Sequence, residues 1–201
     1  MSLTVASIVE GHGEVAALPV LLRRLGEWKT PFAYVDVPTP IRVQKDRFLN
    51  RDEEFRRHLL LASQKCGPNG WVLVLLDADD DCPAERGTTI AQRARACLPH
   101  DRVSVVMANR EYEAWFIAAA PSLNGHRGFD CKEPHIEAET PRNAKGWISQ
   151  HMRGGYGEVL DQPAFSALID LQQAFDGSRS FRKLCSDWEK YVIALSNDGP
   201  V

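Results

Sequence analysis

The apolar positions of this chain fall in short runs whose period changes along it. Leu3–Val9 (LTVASIV) is apolar and β-branched, the pattern of a buried strand. Val15–Leu25 places Leu18, Leu21, Leu22 and Leu25 on one helical face. Pro19 removes a ladder bond there, so the pattern predicts a kink or a later helix start. Phe32–Val37 predicts a second strand, ended by the Pro38-Thr39-Pro40 turn. Asp52–Gln64 predicts a helix with Phe55, Leu59 and Leu60 inward, closed by a turn at Gly67-Pro68-Asn69-Gly70. Trp71–Leu76 (WVLVLL) is apolar without a break, as in a strand covered on both faces. A helix over Ala84–Cys97, a fourth strand over Val103–Ala108 and a fourth helix over Glu111–Ala120 follow.

Strand and helix thus alternate through residues 1–120, which argues for an α/β fold: a mostly parallel four-stranded sheet with helices on both faces. Residues 121–201 change character. Pro121–Lys145 is polar and holds Pro134 and Pro141, so it reads as a long loop or flap. Three helical patterns follow, at Asn143–Met152, Pro163–Phe175 and Phe181–Leu195. In the last, Phe181, Leu184, Cys185, Trp188, Val192 and Leu195 recur at three and four, marking a core face. The expected organisation is an α/β domain over 1–120 carrying a loop and a helical extension over 121–201.

Composition narrows the function classes. Among 201 residues, 44% are hydrophobic and 25% charged, close to globular averages. No apolar run approaches the roughly 20 residues of a membrane span. The first apolar stretch has no basic region before it and is interrupted by Glu10, so it does not read as a signal peptide. Five cysteines, an odd number without a CxxC pair, favour reduced thiols in a cytoplasmic protein over disulfides or a zinc site. A formal net charge of -3 argues against a broad basic surface for nucleic acid. Arg42, Lys45, Arg47, Arg51, Arg56 and Arg57 lean basic, but Asp46, Asp52, Glu53 and Glu54 interleave with them, so the segment reads as a solvated helix face.

In an open parallel sheet, ligands bind beyond the carboxyl ends of the strands. Three acidic groups fall at such ends: Glu10 after the first strand, Asp77, Asp79, Asp80 and Asp81 (LLDADDD) after the third, and Glu111 and Glu113 (NREYE) after the fourth. Glu10 and the aspartates meet if the first and third strands are neighbours. Like carboxylates at close range raise one another's pKa or recruit cations. Hard oxygen ligands suit Mg²⁺, Mn²⁺ or Ca²⁺. Alternation along an extended Asp77-Ala78-Asp79 would put both carboxylates on one side. Each group has a plainer reading. Asp80 and Asp81 fit a turn and an N-cap, and Glu14 fits a carboxylate at a helix start. One of Glu111 and Glu113 fits the same role, and His12 reads as an exposed loop residue. Glu10 is harder to explain that way, because a carboxylate ending a buried strand is costly unless paired or metal-bound.

VEGHGE after the first strand and LLDADDD after the third resemble the Toprim domain, shared by type IA topoisomerases, bacterial primases and the OLD (overcoming lysogenisation defect) nucleases. The spacing VEG-x-x-E is similar to the OLD branch. Together with NREYEAWF, Lys145, Tyr156 and a late SRSF, the whole chain looks like a bacterial Toprim-like family labelled a domain of unknown function. The resemblance implies that Glu10 is a metal ligand or general acid/base in phosphodiester chemistry. It implies that Asp77 and Asp79 are ligands of Mg²⁺ (or Mn²⁺), with Glu14 on a second metal. Glu113, or else Glu111, would complete that second shell, with Asp81 a further member. Lys145 or Arg110 would stabilise charge developing on the phosphate. DNA or RNA would be the substrate. No GxxxxGK[ST] motif occurs, so an ATPase such as the OLD proteins carry would be a separate chain. The rival readings are a non-catalytic module that binds a cation and a nucleotide or nucleic-acid end, and a small-molecule phosphatase. The phosphatase pattern would follow the first strand as DxDxT or DxDxV, which the aspartate run here does not.

Overall fold

The computed structural model describes residues 2–99, 102–133 and 137–197, with the backbone alone for Ser2 and 195–197. At the centre of the sheet, β1 (Ser2–Val9) pairs in parallel with β4 (Trp71–Asp77). β4 in turn pairs in parallel with β5 (Arg102–Ala108). On its other side β1 meets two short parallel strands, β2 (Tyr34–Asp36) along Ser2–Thr4 and β3 (Ile41–Arg42) along Ile8–Val9. The sheet is therefore five-stranded, not four-stranded. Pro38 and Pro40 cannot donate ladder bonds, and they divide the edge into two pieces.

β4 is buried throughout, as its unbroken apolar run predicts. Its alternate residues feed two cores. Trp71, Leu73 and Leu75 pack with α1 (His12–Lys29) and the C-terminal helices. Val72, Val74 and Leu76 pack with α2 (Lys45–Asn50), α3 (Asp52–Cys66) and α4 (Pro83–Cys97). α1 does not start late; it begins at His12 and runs through Pro19, whose ring is buried. Removing that ring from water offsets the lost ladder bond. α2 has no counterpart among the predicted elements. It inserts Phe48 and Leu49 into the second core. On α3, Leu60 is 39% exposed; Ala62 and Cys66 join Phe55 and Leu59 on the inward face instead.

The helix expected from Glu111 starts at Ala114 and breaks into α5 (Ala114–Ala118) and α6 (Ala120–Leu123). The following loop is anchored: Phe129, Cys131 and Ala138 are in the first core, and Phe129 bridges to Met152. Pro134 lies outside the described residues. Then come α7 (Ala144–Gln150), α8 (Glu158–Leu168), α9 (Leu171–Gly177) and α10 (Arg179–Asn197). The single helix expected over Pro163–Phe175 is split, because Asp170 caps a new one by accepting from the Gln173 N–H. Trp188 of α10 packs edge-on to Trp71 and donates to Thr30 Oγ1 at 2.9 Å. In the SRSF stretch, Ser180 Oγ accepts from the Asn109 amide and from Trp115 Nε1 at 2.8 Å, and Phe181 is buried. The expected core position Leu195 has a side chain outside the described set. Among the described residues no helix is long and apolar enough to cross a membrane, and all five cysteines are free thiols.

α8 packs against the start of α1, and this contact explains a glycine. A Cβ at Gly13 would meet Gln162 Oε1 at 2.2 Å, Glu158 Cγ at 2.6 Å and the Glu158 carbonyl at 2.8 Å. Gly13→Ala should gain helix propensity and still lower stability by about 1–3 kcal/mol, because α8 has to retreat. Chemical denaturation measures this; an unchanged midpoint would mean that α8 does not press on the turn.

Candidate functional site

The carboxyl ends of β1, β4 and β5 meet at one edge of the sheet, with β1 and β4 adjacent. Each end delivers an acid. Glu10 follows β1 and is half-buried, and its Oε2 is buried without a hydrogen-bond partner. Asp77 is the last residue of β4 and is buried; its Oδ1 accepts from the Tyr112 N–H at 2.9 Å. Glu113, in the turn after β5, is fully buried. Its Oε1 accepts from Tyr156 Oη at 2.9 Å and Gln162 Nε2 at 3.1 Å, and its Oε2 is buried without a partner. Glu14 completes the group from the first turn of α1. Its Oε2 accepts from the Glu10 amide at 3.0 Å and the Gly11 amide at 2.8 Å. That is the helix-start role, and it also ties Glu14 to the backbone that carries Glu10.

Asp79 lies outside this buried group. The chain leaves the extended conformation at Ala78, and Asp79 takes φ 50, so alternation does not carry to it. Its carboxylate is exposed and pairs with Lys45. Lys45 Nζ, from the first residue of α2, also donates to the Asp77 carbonyl at 2.8 Å. Asp80 pairs with Arg110 at 2.7 Å, and Arg110 also donates to the Asp79 carbonyl. Asp81 is exposed and turns toward Arg86 at 3.6 Å. The N-cap of α4 is Cys82, so neither Asp80 nor Asp81 fills that place. His12 is exposed, as expected.

The C-terminal helices supply a roof. Lys145, on α7, reaches Glu158 Oε2 at 3.4 Å, and its own amide donates to Glu111 Oε2 at 2.8 Å. Glu158 Oε1 accepts from the Gly13 amide at 3.3 Å. Gln162 is fully buried between Glu113 and Gly13. Gly11 has an ordinary extended backbone (φ -84, ψ 160). The glycines of the turn therefore make room for Glu158 and Gln162 of α8.

Burial and mutual repulsion set the electrostatics. Asp77 is pushed well above the carboxylate range, first by burial and then by Glu14 and Glu113. Burial raises Glu14 against the stabilising Gly11 amide, and raises Glu10 against Lys45. Glu113 is pushed up to about 7 by burial, opposed by Lys145 and Tyr156. For Lys145, burial works against the charge, but Glu113, Asp77 and Glu158 outweigh it and hold the ammonium firmly. The acids are thus balanced by shared protons and by two lysines.

Among the described residues, no group of three or more His, Cys, Asp or Glu side chains is arranged to hold a metal ion as it stands. The donor chemistry nonetheless suits a hard cation. The donors are all oxygen, and Glu10 Oε2 and Glu113 Oε2 are buried and unpaired. Glu10, Asp77 and Glu113 would hold one only after a rearrangement of these side chains. Asp79 could join only by releasing Lys45, and Glu14 through the oxygen not bound to the backbone.

Glu113 sets a pH test. A carboxyl raised in the folded state favours folding fully below its unfolded pKa, near 4.5, and loses that contribution as pH rises through about 7. Without divalent cations, Glu113→Gln should gain about 2–3 kcal/mol on the natural protein between pH 5 and pH 8. Denaturant melts across that range measure it; parallel curves for the two proteins would remove Glu113 as the titrating group.

Comparison with curated proteins and with solved structures gave no match. Residues 9–189 match a family described as a domain of unknown function, DUF4276. The matched span takes in both the acidic strand ends and the roof over them, from Glu10 to Gln162. The chain belongs to the DUF4276 family.

Proposed function

We propose that the chain is a metal-dependent phosphodiesterase acting on DNA or RNA, of the Toprim type that its acidic motifs resemble. The observation that carries this reading is the burial of Glu10, Glu14, Asp77 and Glu113 together at the carboxyl edge of a parallel sheet. A fold alone gains nothing from that repulsion, and such perturbed groups concentrate at functional sites. Mg²⁺ or Mn²⁺ held by Glu10, Asp77 and Glu113 would polarise the scissile phosphate and make bound water more acidic.

The chain's own residues have separate tasks. Glu10 Oε2 is unpaired and burial raises its carboxyl above the ordinary value, which makes it more basic, so it is the group to take a proton from an attacking water. Lys145 Nζ stays charged beside the acids and would meet a phosphate oxygen. Tyr156 and Gln162 fix one oxygen of Glu113 and aim the other inward. An ATPase partner, of the kind the resembled OLD proteins carry, would drive any ATP-dependent step. The second reading, a binding module without turnover, draws on the same lysines: Lys45 opposes the rise at Glu10, and Lys145 does so at Asp77 and Glu113.

Asp77→Asn keeps an acceptor for the Tyr112 amide and so should leave the fold intact. It should lower Mn²⁺-dependent cleavage of single- or double-stranded DNA or RNA by about 10²-fold or more. Glu10→Gln should do the same. Calorimetric Mn²⁺ binding by the natural protein without cleavage of any of these substrates would favour the module. Cleavage by both variants at the natural protein's rate would end the phosphodiesterase reading at this site.

A further inference from the structure

A second feature lies away from the acids, at the free edge of β5. β5 pairs with β4 on one side, and no strand among the described residues pairs with the other. Which backbone groups face that free side follows from parity. The Ala108 carbonyl accepts from the Ala78 amide, toward β4. The Val103 carbonyl accepts from Tyr191 Oη at 3.1 Å, and the Asn109 amide donates to Ser180 Oγ at 3.2 Å, away from β4. Odd residues of β5 therefore point their amides and carbonyls outward. α10 caps the first and last of these positions and leaves Val105 and Met107 between them.

Val105 and Met107 open into a groove of about 530 Å³ between α4 and α10. Its walls carry Arg95, Arg179, Lys183 and Lys190 against Glu139 and Asp187, a surplus of two positive charges on a chain of net charge -3. Arg179 pairs with Glu139 and Lys183 with Asp187, so the surplus sits on Arg95 and Lys190. Unpaired strand edges invite pairing unless they are covered or blunted; α10 meets this one at its ends, and Val105 and Met107, 5% and 4% exposed, form the floor of the groove between.

We propose that the groove binds an extended, acidic segment of a partner protein, which adds to β5 as a further strand. Backbone pairing to Val105 and Met107 supplies the contact, and Arg95 and Lys190 select for acid. The surface is separate from the acidic site, so the two proposals stand or fall independently.

Panning a phage library of random octapeptides against the full chain tests this. Enrichment of Asp- and Glu-containing, β-branched sequences is expected. Val105→Pro removes an N–H that faces the groove and no ladder bond, and it should weaken a selected synthetic peptide roughly tenfold or more. Arg95→Glu with Lys190→Glu should do likewise, while Asp77→Asn should bind as the natural protein does. If Val105→Pro does not fold, the charge-reversal pair decides. Enrichment of no acidic sequence, or binding that neither variant weakens, overturns the proposal. So does a chain that dimerises in sedimentation and becomes monomeric with Val105→Pro, since the edge then belongs to a second copy.

Discussion

Helix α8 lies so near the turn after β1 that only hydrogen fits at Gly13. That single close approach organises the functional edge of the molecule. It brings Gln162 to Glu113 and Glu158 to the Gly13 amide, and it covers Glu113 while Glu10 stays half-buried at the rim. Had α8 stood farther off, the same carboxylates would be hydrated and nearly independent. Their raised pKa values come from burial first, and for Asp77 from Glu14 and Glu113 second.

Sealing acids under a helix creates a charge problem, and the structure meets it with two tethered ammonium groups at different depths. Lys145 sits over the buried acids and is held charged by them. Lys45 sits at the rim, between the Asp77 carbonyl and the Asp79 carboxylate. The remaining imbalance falls on protons, with Asp77 and Glu113 both raised. A cation arriving here would compete with groups of different kinds, a titrating proton inside and a lysine outside.

The sheet and the acids were legible in the sequence because they rest on local pattern. WVLVLL announces a doubly covered strand, and LTVASIV ending in Glu10 announces an acid at a strand's end. Adjacency of β1 and β4 joined Glu10 to Asp77 as the alternating order suggests. What was not legible depends on tertiary contact. Gln162 and Glu158 sit in a helix whose pattern gives no sign of what it covers. Lys45 lay in a charge-mixed segment that reads as a solvated face. Asp79 looked equivalent to Asp77 until the backbone turned left-handed at it. Gly13 carries a hint, since a small residue after a strand marks close approach, and here the approaching group is a helix.

The order of the site's parts along the chain has a consequence for its making. Glu10, Glu14, Asp77 and Glu113 are all synthesised before Lys145, Tyr156 and Gln162. On the ribosome the acids therefore emerge solvated, ionised and mutually repelling, with no lid to hold them. The site exists only once the chain through Gln162 has cleared the exit tunnel. A prematurely terminated product that ends before α8 would carry the acidic motifs as an open, hydrated surface.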